Sequence, residues 1–165
     1  LSNRGIRPNW HMIGTLQTNK VRHIIGKTTL IHSADTVRLI EEIDKKSVQN
    51  DLRTSVLLQV NLSGEVSKHG FNAEETAEAI EIINKCSGVQ LCGLMTMAPL
   101  DPSIASPGTV FEATKKLFEA MRTQVAHPEE WRYLSMGMSQ DYIEALRYGA
   151  THIRIGTSIF GSRSL

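Results

Sequence analysis

Apolar segments rich in β-branched residues alternate with segments of helical periodicity along the chain, and this alternation constrains the fold most. About six strand segments are predicted, with helices of ordinary length between them. Such βα repetition is typical of a parallel sheet covered by helices. The predicted strands are Trp10–Leu16, Thr29–His32, Ser55–Asn61, Leu91–Met97, Trp131–Met136 and His152–Ile155.

Several helices carry recognisable ends. Thr18–Ile25 stops before Gly26, which we expect to form a left-handed cap, and Asp35–Lys46 has an apolar face. Asn72 and Glu75 have the spacing of a capping box at the start of the next helix. The clearest helix presents one apolar face, formed by Val110, Thr114, Leu117, Met121 and Val125.

The last helix and a long loop complete the pattern. Ser139 is predicted to cap that helix, Asp141 to favour its first turn through the helix dipole, and Gly149 to end it. The stretch Ala98–Gly108 holds most of the prolines and follows a strand, so we expect a loop that overhangs a site.

Chain length leaves two architectures open. A closed (β/α)8 TIM barrel typically needs about 250 residues and at least roughly 200, whereas this chain has 165. A barrel with about six of its eight βα units therefore fits, and so does a complete open, doubly wound sheet. No linker or low-complexity stretch divides the sequence, which favours a single domain over residues 1–165.

Charge and hydropathy exclude several functions. Lys and Arg number 18 against 17 Asp and Glu, for a net charge of +1, so we expect no binding to nucleic acid or to a membrane surface. No apolar run approaches the roughly 20 residues that span a bilayer, and no signal peptide opens the sequence. A cytoplasmic location is predicted. The two cysteines, Cys86 and Cys92, are predicted to be buried free thiols rather than metal ligands.

Two neighbouring strand exits have the composition of an anion site. Residues 135–139 (Ser-Met-Gly-Met-Ser) run from the end of the fifth predicted strand into a helix start, and Gly156-Thr157-Ser158 follows the sixth strand. Small residues let backbone N–H groups approach an anion, and hydroxyls add donors, so the two loops together favour a phosphate site. The alternative is purely structural, with Gly137 and Gly156 making tight turns.

Alternation along the strands predicts which side chains face inward. In the segment 152–155, Ile153 and Ile155 are expected to pack on helices, which turns His152 and Arg154 toward the interior. An interior guanidinium needs an acceptor, either a ligand or an interior carboxylate, but the predicted strands contain no Asp or Glu. His11 is interpreted as a hydrogen-bonded interior histidine rather than a general base.

Five motifs, in order along the chain, resemble those of the pyridoxal phosphate homeostasis protein family, a group similar to the barrel domain of bacterial alanine racemase. The resemblance covers essentially the whole chain. Its motifs are residues 11–20 (HMIGTLQTNK), Asn61 with residues 67–70 (SKHG), residues 93–97 (GLMTM), residues 134–141 (LSMGMSQD) and residues 154–161 (RIGTSIFG).

The resemblance implies a barrel that binds pyridoxal 5′-phosphate (PLP). Its function would be that of a non-enzymatic carrier, which buffers PLP and delivers it to apo-enzymes in the cytoplasm. Two alternatives stay open, an amino-acid racemase or aldolase of the same fold type and a protein that binds only phosphate. The cofactor-binding residues that the resemblance and the pattern predict are Ser135, Gly137, Met138, Ser139, Arg154, Gly156, Thr157 and Lys68.

The resemblance also implies that this form is incomplete at its N-terminus. In the family, the Schiff-base lysine lies on the first barrel strand, in a segment that precedes the first motif seen here. We therefore expect a single barrel domain without its first two βα units, which agrees with the chain length. A complete protein is predicted to be a monomer, and a truncated one to pair through its open strand edges.

Overall fold

The computed structural model describes residues 5, 7–65, 69–99, 101 and 103–161. Six parallel strands form one sheet, and α-helices follow five of them. The strands are β1 (His11–Met12), β2 (Leu30–Ala34), β3 (Thr54–Val60), β4 (Val89–Thr96), β5 (Tyr133–Met138) and β6 (His152–Arg154). The helices are α1 (Val37–Gln49), α2 (Ala73–Ile83), α3 (Pro107–Met121), α4 (Tyr142–Arg147) and α5 (Thr157–Phe160).

Strand order decides between the two predicted architectures. Each strand pairs in parallel with the next one along the chain, so that the order is β1-β2-β3-β4-β5-β6. A doubly wound sheet would reverse its order at a switch point, and this sheet does not. The sheet curls so far that the imidazole rings of His11 on β1 and His152 on β6 lie 5.7 Å apart. This half-barrel confirms the prediction of a TIM-barrel type fold.

Apolar side chains lie on both faces of the curled sheet. The larger cluster fills the space between the sheet and the helices and includes Val56 and Leu58 of β3. A smaller cluster on the concave face consists of Leu30, Leu57, Cys92 and Met95. Because successive strand residues point to opposite faces, the two clusters interleave along the chain.

The helix ends agree with the sequence at several points. Asn72 and Glu75 form the predicted capping box, and their reciprocal N···O distances are both 2.9 Å. Gly26 and Gly149 have φ angles of 74° and 85°, as left-handed caps require. The apolar face of α3 is buried as expected, although Val125 lies beyond the end of that helix.

Other local predictions were wrong. The helix predicted over Thr18–Ile25 is shorter, a 3-10 helix over Thr18–His23. The helix expected from Asp35 begins at Val37, because the Thr36 side chain accepts a hydrogen bond from the Leu39 N–H and fixes the N-cap. The strand expected over Trp10–Leu16 is only His11–Met12.

Two side chains near the last strand also differ from prediction. Ile153 does not pack under a helix; its side chain is 39% exposed, because α4 packs mainly against β5. Ser139 does not cap α4, whose N-cap is Asp141. Its hydroxyl instead contacts the loop after β6, at distances given below.

Gly93 on β4 permits the close approach of β5. Its φ angle is 148°, and a Cβ atom there would overlap the carbonyl oxygen of Tyr133. We expect Gly93→Ala to lower the free energy of unfolding by about 3 kcal/mol or more, because it adds backbone strain to a clash with another strand. Urea unfolding will measure this change. The control is Gly14→Ala, since a Cβ at Gly14 meets nothing within 4 Å; equal losses in the two variants would contradict the explanation.

Candidate functional site

A cavity of about 920 Å³ opens at the carboxyl ends of the strands. This is the edge where α/β barrels bind their ligands, and the volume suits a small organic molecule. Residues at or just after the ends of β1, β4, β5 and β6 contribute to its wall, and His32 of β2 also lines it. Ala98, Pro99 and Pro107 contribute as well, which confirms that the loop 98–108 borders a cavity.

Five of the eight predicted cofactor-binding residues line this cavity: Met138, Ser139, Arg154, Gly156 and Thr157. Ser135 lies beneath the cavity floor, with a fully buried side chain. Gly137 has a φ angle of 91° and abuts α4, where a Cβ atom would come within 2.6 Å of the Ala145 Cβ. Lys68 lies outside the described residues.

The loops after β5 and β6 meet at the Ser139 hydroxyl. Its Oγ accepts hydrogen bonds from the backbone N–H of Gly156, at 3.2 Å, and of Ser158, at 3.3 Å. The loop after β5 is itself fixed by Asp141, whose Oδ1 accepts from the Met138 N–H at 2.6 Å. Two backbone donors thus converge on one oxygen at the cavity wall, which is the arrangement that binds phosphate oxygens in other proteins.

Arg154 carries the positive charge of the site. Its Nη1 donates to the Ser135 Oγ at 2.8 Å, and its Nη2 donates to the Thr96 carbonyl oxygen at 2.9 Å. Burial lowers the pKa of Arg154 to about 10, although the nearby Asp141 carboxylate acts in the opposite direction. The guanidinium is therefore still cationic at neutral pH. In the described part of the chain, no carboxylate forms an ion pair with it.

Three histidine rings, of His11, His32 and His152, lie close together on the concave face. His32 Nδ1 lies 2.8 Å from the Ser135 Oγ, and His32 Nε2 lies 2.9 Å from His11 Nδ1, so the two rings share a hydrogen bond. The interpretation of His11 as a hydrogen-bonded interior histidine is thus confirmed. The third ring, His152, lies 5.7 Å from each of the other two.

His32 is the site residue that the sequence interpretation missed. It lies two residues after Leu30 on β2, so strand alternation places both on the concave face, and the same parity argument that found Arg154 would have found it. Burial, together with His11, Arg154 and His152, lowers the pKa of His32 to about 3. Burial also lowers the pKa of His152. His32 is therefore neutral at physiological pH.

Neither cysteine lines the cavity. Cys92 is buried, Cys86 is half-buried, and both are free thiols whose pKa values burial raises. Over residues 7–65, 69–99 and 103–161, we find no cluster of three or more side chains with the arrangement of a metal site. The described helices also include none that is long and apolar enough to cross a bilayer.

Acid should weaken the fold through His32. The unfolded chain binds a proton at the ordinary histidine pKa of 6.5, but folded His32 does so only at about 3. The free energy of unfolding therefore falls as pH drops through this interval. We expect His32→Asn to flatten the fall by up to roughly 1 kcal/mol per pH unit, measured by urea unfolding between about pH 7 and about pH 5. If the free energy of unfolding depends on pH equally in the wild type and in His32→Asn, His32 does not stay neutral in the folded state.

Comparison with known proteins defines the class of this protein. The family model described as the alanine racemase N-terminal domain matches residues 1–164. An alanine racemase of Clostridium difficile shares the fold, with a TM-score of 0.70 at 14% identity over 99% of this chain and 42% of the racemase. The chain is thus a barrel domain of the alanine racemase N-terminal type.

Closer relatives define the family more narrowly. A pyridoxal phosphate homeostasis protein of Aquifex aeolicus is 40% identical over 93% of this chain and 67% of its own length. PipY of Synechococcus elongatus, solved with PLP bound, superposes with a TM-score of 0.84 at 31% identity, over 96% of this chain and 73% of PipY. This chain belongs to the pyridoxal phosphate homeostasis protein family.

The matches leave part of each relative without a counterpart. The chain spans 67% of the Aquifex protein, 70% of a Synechocystis relative and 59% of the bovine one. The bovine protein is 34% identical over 160 residues.

Proposed function

We propose that this chain binds pyridoxal 5′-phosphate in the cavity and that it acts in PLP homeostasis as a carrier rather than as an enzyme. The single observation that carries the proposal is the joined pair of loops beside Arg154, where the N–H groups of Gly156 and Ser158 converge on one oxygen. The relatives named as pyridoxal phosphate homeostasis proteins, and the PLP bound to PipY, support the identity of the ligand.

The residues present fit the phosphate of such a ligand. Phosphate oxygens are acceptors of the same kind as the Ser139 oxygen, which already attracts two backbone donors. Ser139 and Thr157 line the same part of the wall and supply hydroxyl groups. We therefore assign the phosphate to the loops 138–139 and 156–157, with Gly137 giving the first loop its shape. Lys68 stays a predicted contact.

The residues also fit an aromatic ring. Arg154 lines the cavity, and its guanidinium is braced from behind by Ser135 and Thr96, so it holds a fixed positive charge at the floor. The wall next to it is partly apolar, with Met97, Ala98 and Pro99. A cavity of about 920 Å³ accommodates a phosphorylated pyridine ring.

The charge of Arg154 supports a carrier role. Bound PLP supplies an aldehyde that reacts with amines and a pyridine ring that can withdraw electrons. A guanidinium near the ring nitrogen disfavours protonation there, because two positive charges repel at close range, and so it weakens electron withdrawal. Arg154 is cationic at neutral pH even though burial lowers its pKa to about 10. The site thus favours holding the cofactor over using it.

Blocking the phosphate loops tests the ligand assignment. Gly156 lines the cavity, its φ is −122°, and a Cβ atom there meets nothing within 4 Å. We expect Gly156→Leu to fold normally, with a thermal midpoint within about 2 °C of the wild type, while its larger side chain fills the phosphate space. PLP affinity, measured by fluorescence titration and calorimetry, should fall by at least about tenfold.

A matched control is Ser87→Leu, which adds a leucine to an exposed position before β4, at the opposite edge of the sheet. This variant should bind PLP like the wild type. If Gly156→Leu also binds PLP normally, the phosphate does not lie between these loops and the assignment fails.

Two further titrations separate the alternatives. Pyridoxal without its phosphate should bind at least about tenfold more weakly than PLP. If inorganic phosphate binds as well as PLP does, the chain is only an anion-binding protein.

A separate experiment tests for catalysis. Incubation with PLP and L-alanine, followed by chiral chromatography, should leave the L-enantiomer unchanged; racemisation at enzymatic rates would replace the carrier role with catalysis. Delivery to apo-enzymes, a cytoplasmic location and the oligomeric state stay predictions.

A further inference from the structure

We infer that His32 is a positioning residue for Arg154, which it holds through Ser135 in a hydrogen-bonded chain that runs in one direction from the guanidinium to His11. The chain links four side chains from four strands: Arg154 on β6, Ser135 on β5, His32 on β2 and His11 on β1. Its three distances, in that order, are 2.8, 2.8 and 2.9 Å.

The direction of the chain follows from its first and second members. Arginine has no acceptor, so the Ser135 Oγ must accept from Arg154 Nη1. The Ser135 side chain is fully buried, and its hydroxyl proton therefore needs an acceptor of its own. His32 Nδ1, at 2.8 Å, supplies that acceptor.

The protonation of both histidine rings follows in turn. With Nδ1 accepting, a neutral His32 carries its proton on Nε2 and donates it to His11 Nδ1 at 2.9 Å. His11 then carries its own ring proton on Nε2. His11, the last member of the hydrogen-bonded chain, lines the cavity.

A proton added to His32 would break this hydrogen-bonded chain of side chains. Nδ1 would become a donor, so Ser135 would receive two donors while its own proton lost its partner, at a buried position where an unpaired polar group is costly. The charged and titratable groups that face His32 are His11 from β1 and His152 and Arg154 from β6, all of which disfavour that proton when charged. These surroundings match the lowered pKa of His32, so the chain is intact at neutral pH.

The hydrogen-bonded chain matters for Arg154 because it makes the Ser135 hydroxyl, which carries no charge, a stronger acceptor. A hydroxyl that donates to a neighbour becomes a better acceptor itself, since hydrogen bonds in a series polarise one another. Ser135 can thus bind the buried guanidinium without neutralising it, as a carboxylate would. The positive charge stays available to a ligand in the cavity, and His32, acting through Ser135, fixes the orientation of the guanidinium.

The tautomers of His32 and His11 can be measured without any ligand, and they test the hydrogen-bonded chain directly. Long-range 15N–1H NMR spectra of the 165-residue chain, labelled with 15N-histidine, distinguish Nδ1–H, Nε2–H and doubly protonated rings. We expect the Nε2–H form for both His32 and His11 at neutral pH, and a His32 that stays neutral down to about pH 5. An Nδ1–H tautomer at His32, or a charged His32 near about pH 6, would overturn the inference.

Two substitutions at His32 test the effect on Arg154. In His32→Asn the side-chain oxygen can replace Nδ1 as acceptor, whereas His32→Leu removes the acceptor and keeps an apolar side chain of similar volume. We expect the Arg154 Nη protons to be resolved and slow to exchange in the wild type and in His32→Asn, and to be averaged with solvent in His32→Leu. Retention of slow exchange in His32→Leu would show that His32 does not position Arg154.

PLP binding gives a second readout, which rests on the proposed function. His32→Leu should weaken PLP binding by roughly five- to tenfold, and His32→Asn should restore most of the loss. The control His127→Asn changes an exposed histidine and should have no effect. If His32→Leu does not fold, Ser135→Ala interrupts the same chain and should give the same loss. Failure of the wild type to bind PLP would refute the proposed function, while the NMR spectra would still decide the inference.

Discussion

The site depends on which hydrogen-bond acceptors a buried guanidinium, that of Arg154, finds inside the protein. Arg154 donates to a serine hydroxyl and a main-chain carbonyl, both of which are neutral. A carboxylate partner would have stabilised the buried charge more but would also have cancelled it. The neutral partners hold the side chain in place and leave a net positive charge at the floor of the cavity. Burial lowers the Arg154 pKa to about 10, which still leaves it charged at neutral pH.

The curvature of the sheet makes this arrangement possible. Ser135 on β5 contacts His32 on β2, and Arg154 on β6 contacts the carbonyl of Thr96 on β4, so the hydrogen bonds cross the concave face between strands that are not neighbours. In a flat sheet these strands would lie about 10 to 15 Å apart, because adjacent strands are separated by about 4.8 Å. The polar groups of the site therefore also tie the half-barrel together.

Side-chain roles were predictable where they depend on neighbouring residues and not where they depend on contacts between separate βα units. Strand alternation needs only local information, and it placed Arg154, His152 and His11 on the concave face correctly. The local pattern predicts that Ser139 caps α4, yet its partners are Gly156 and Ser158, at the start of α5 in the next βα unit. Likewise, the burial expected for Ile153 depends on a covering helix, and α4 lies mainly on β5. Contacts between separate βα units leave no signal in the local pattern.

By itself, the sequence determined the βα repetition, the faces of the strands and the two small-residue loops that follow β5 and β6, because these features arise from periodicity and from neighbouring residues. Its ordered motifs also indicated the family. Chain length left open the choice between a barrel and a doubly wound sheet; the family resemblance predicted the barrel, and the tertiary structure established its strand order. It also decided the chain from Arg154 through Ser135 and His32 to His11. Those residues are up to 143 positions apart, from 11 to 154, and only the curvature of the sheet brings them within hydrogen-bonding distance.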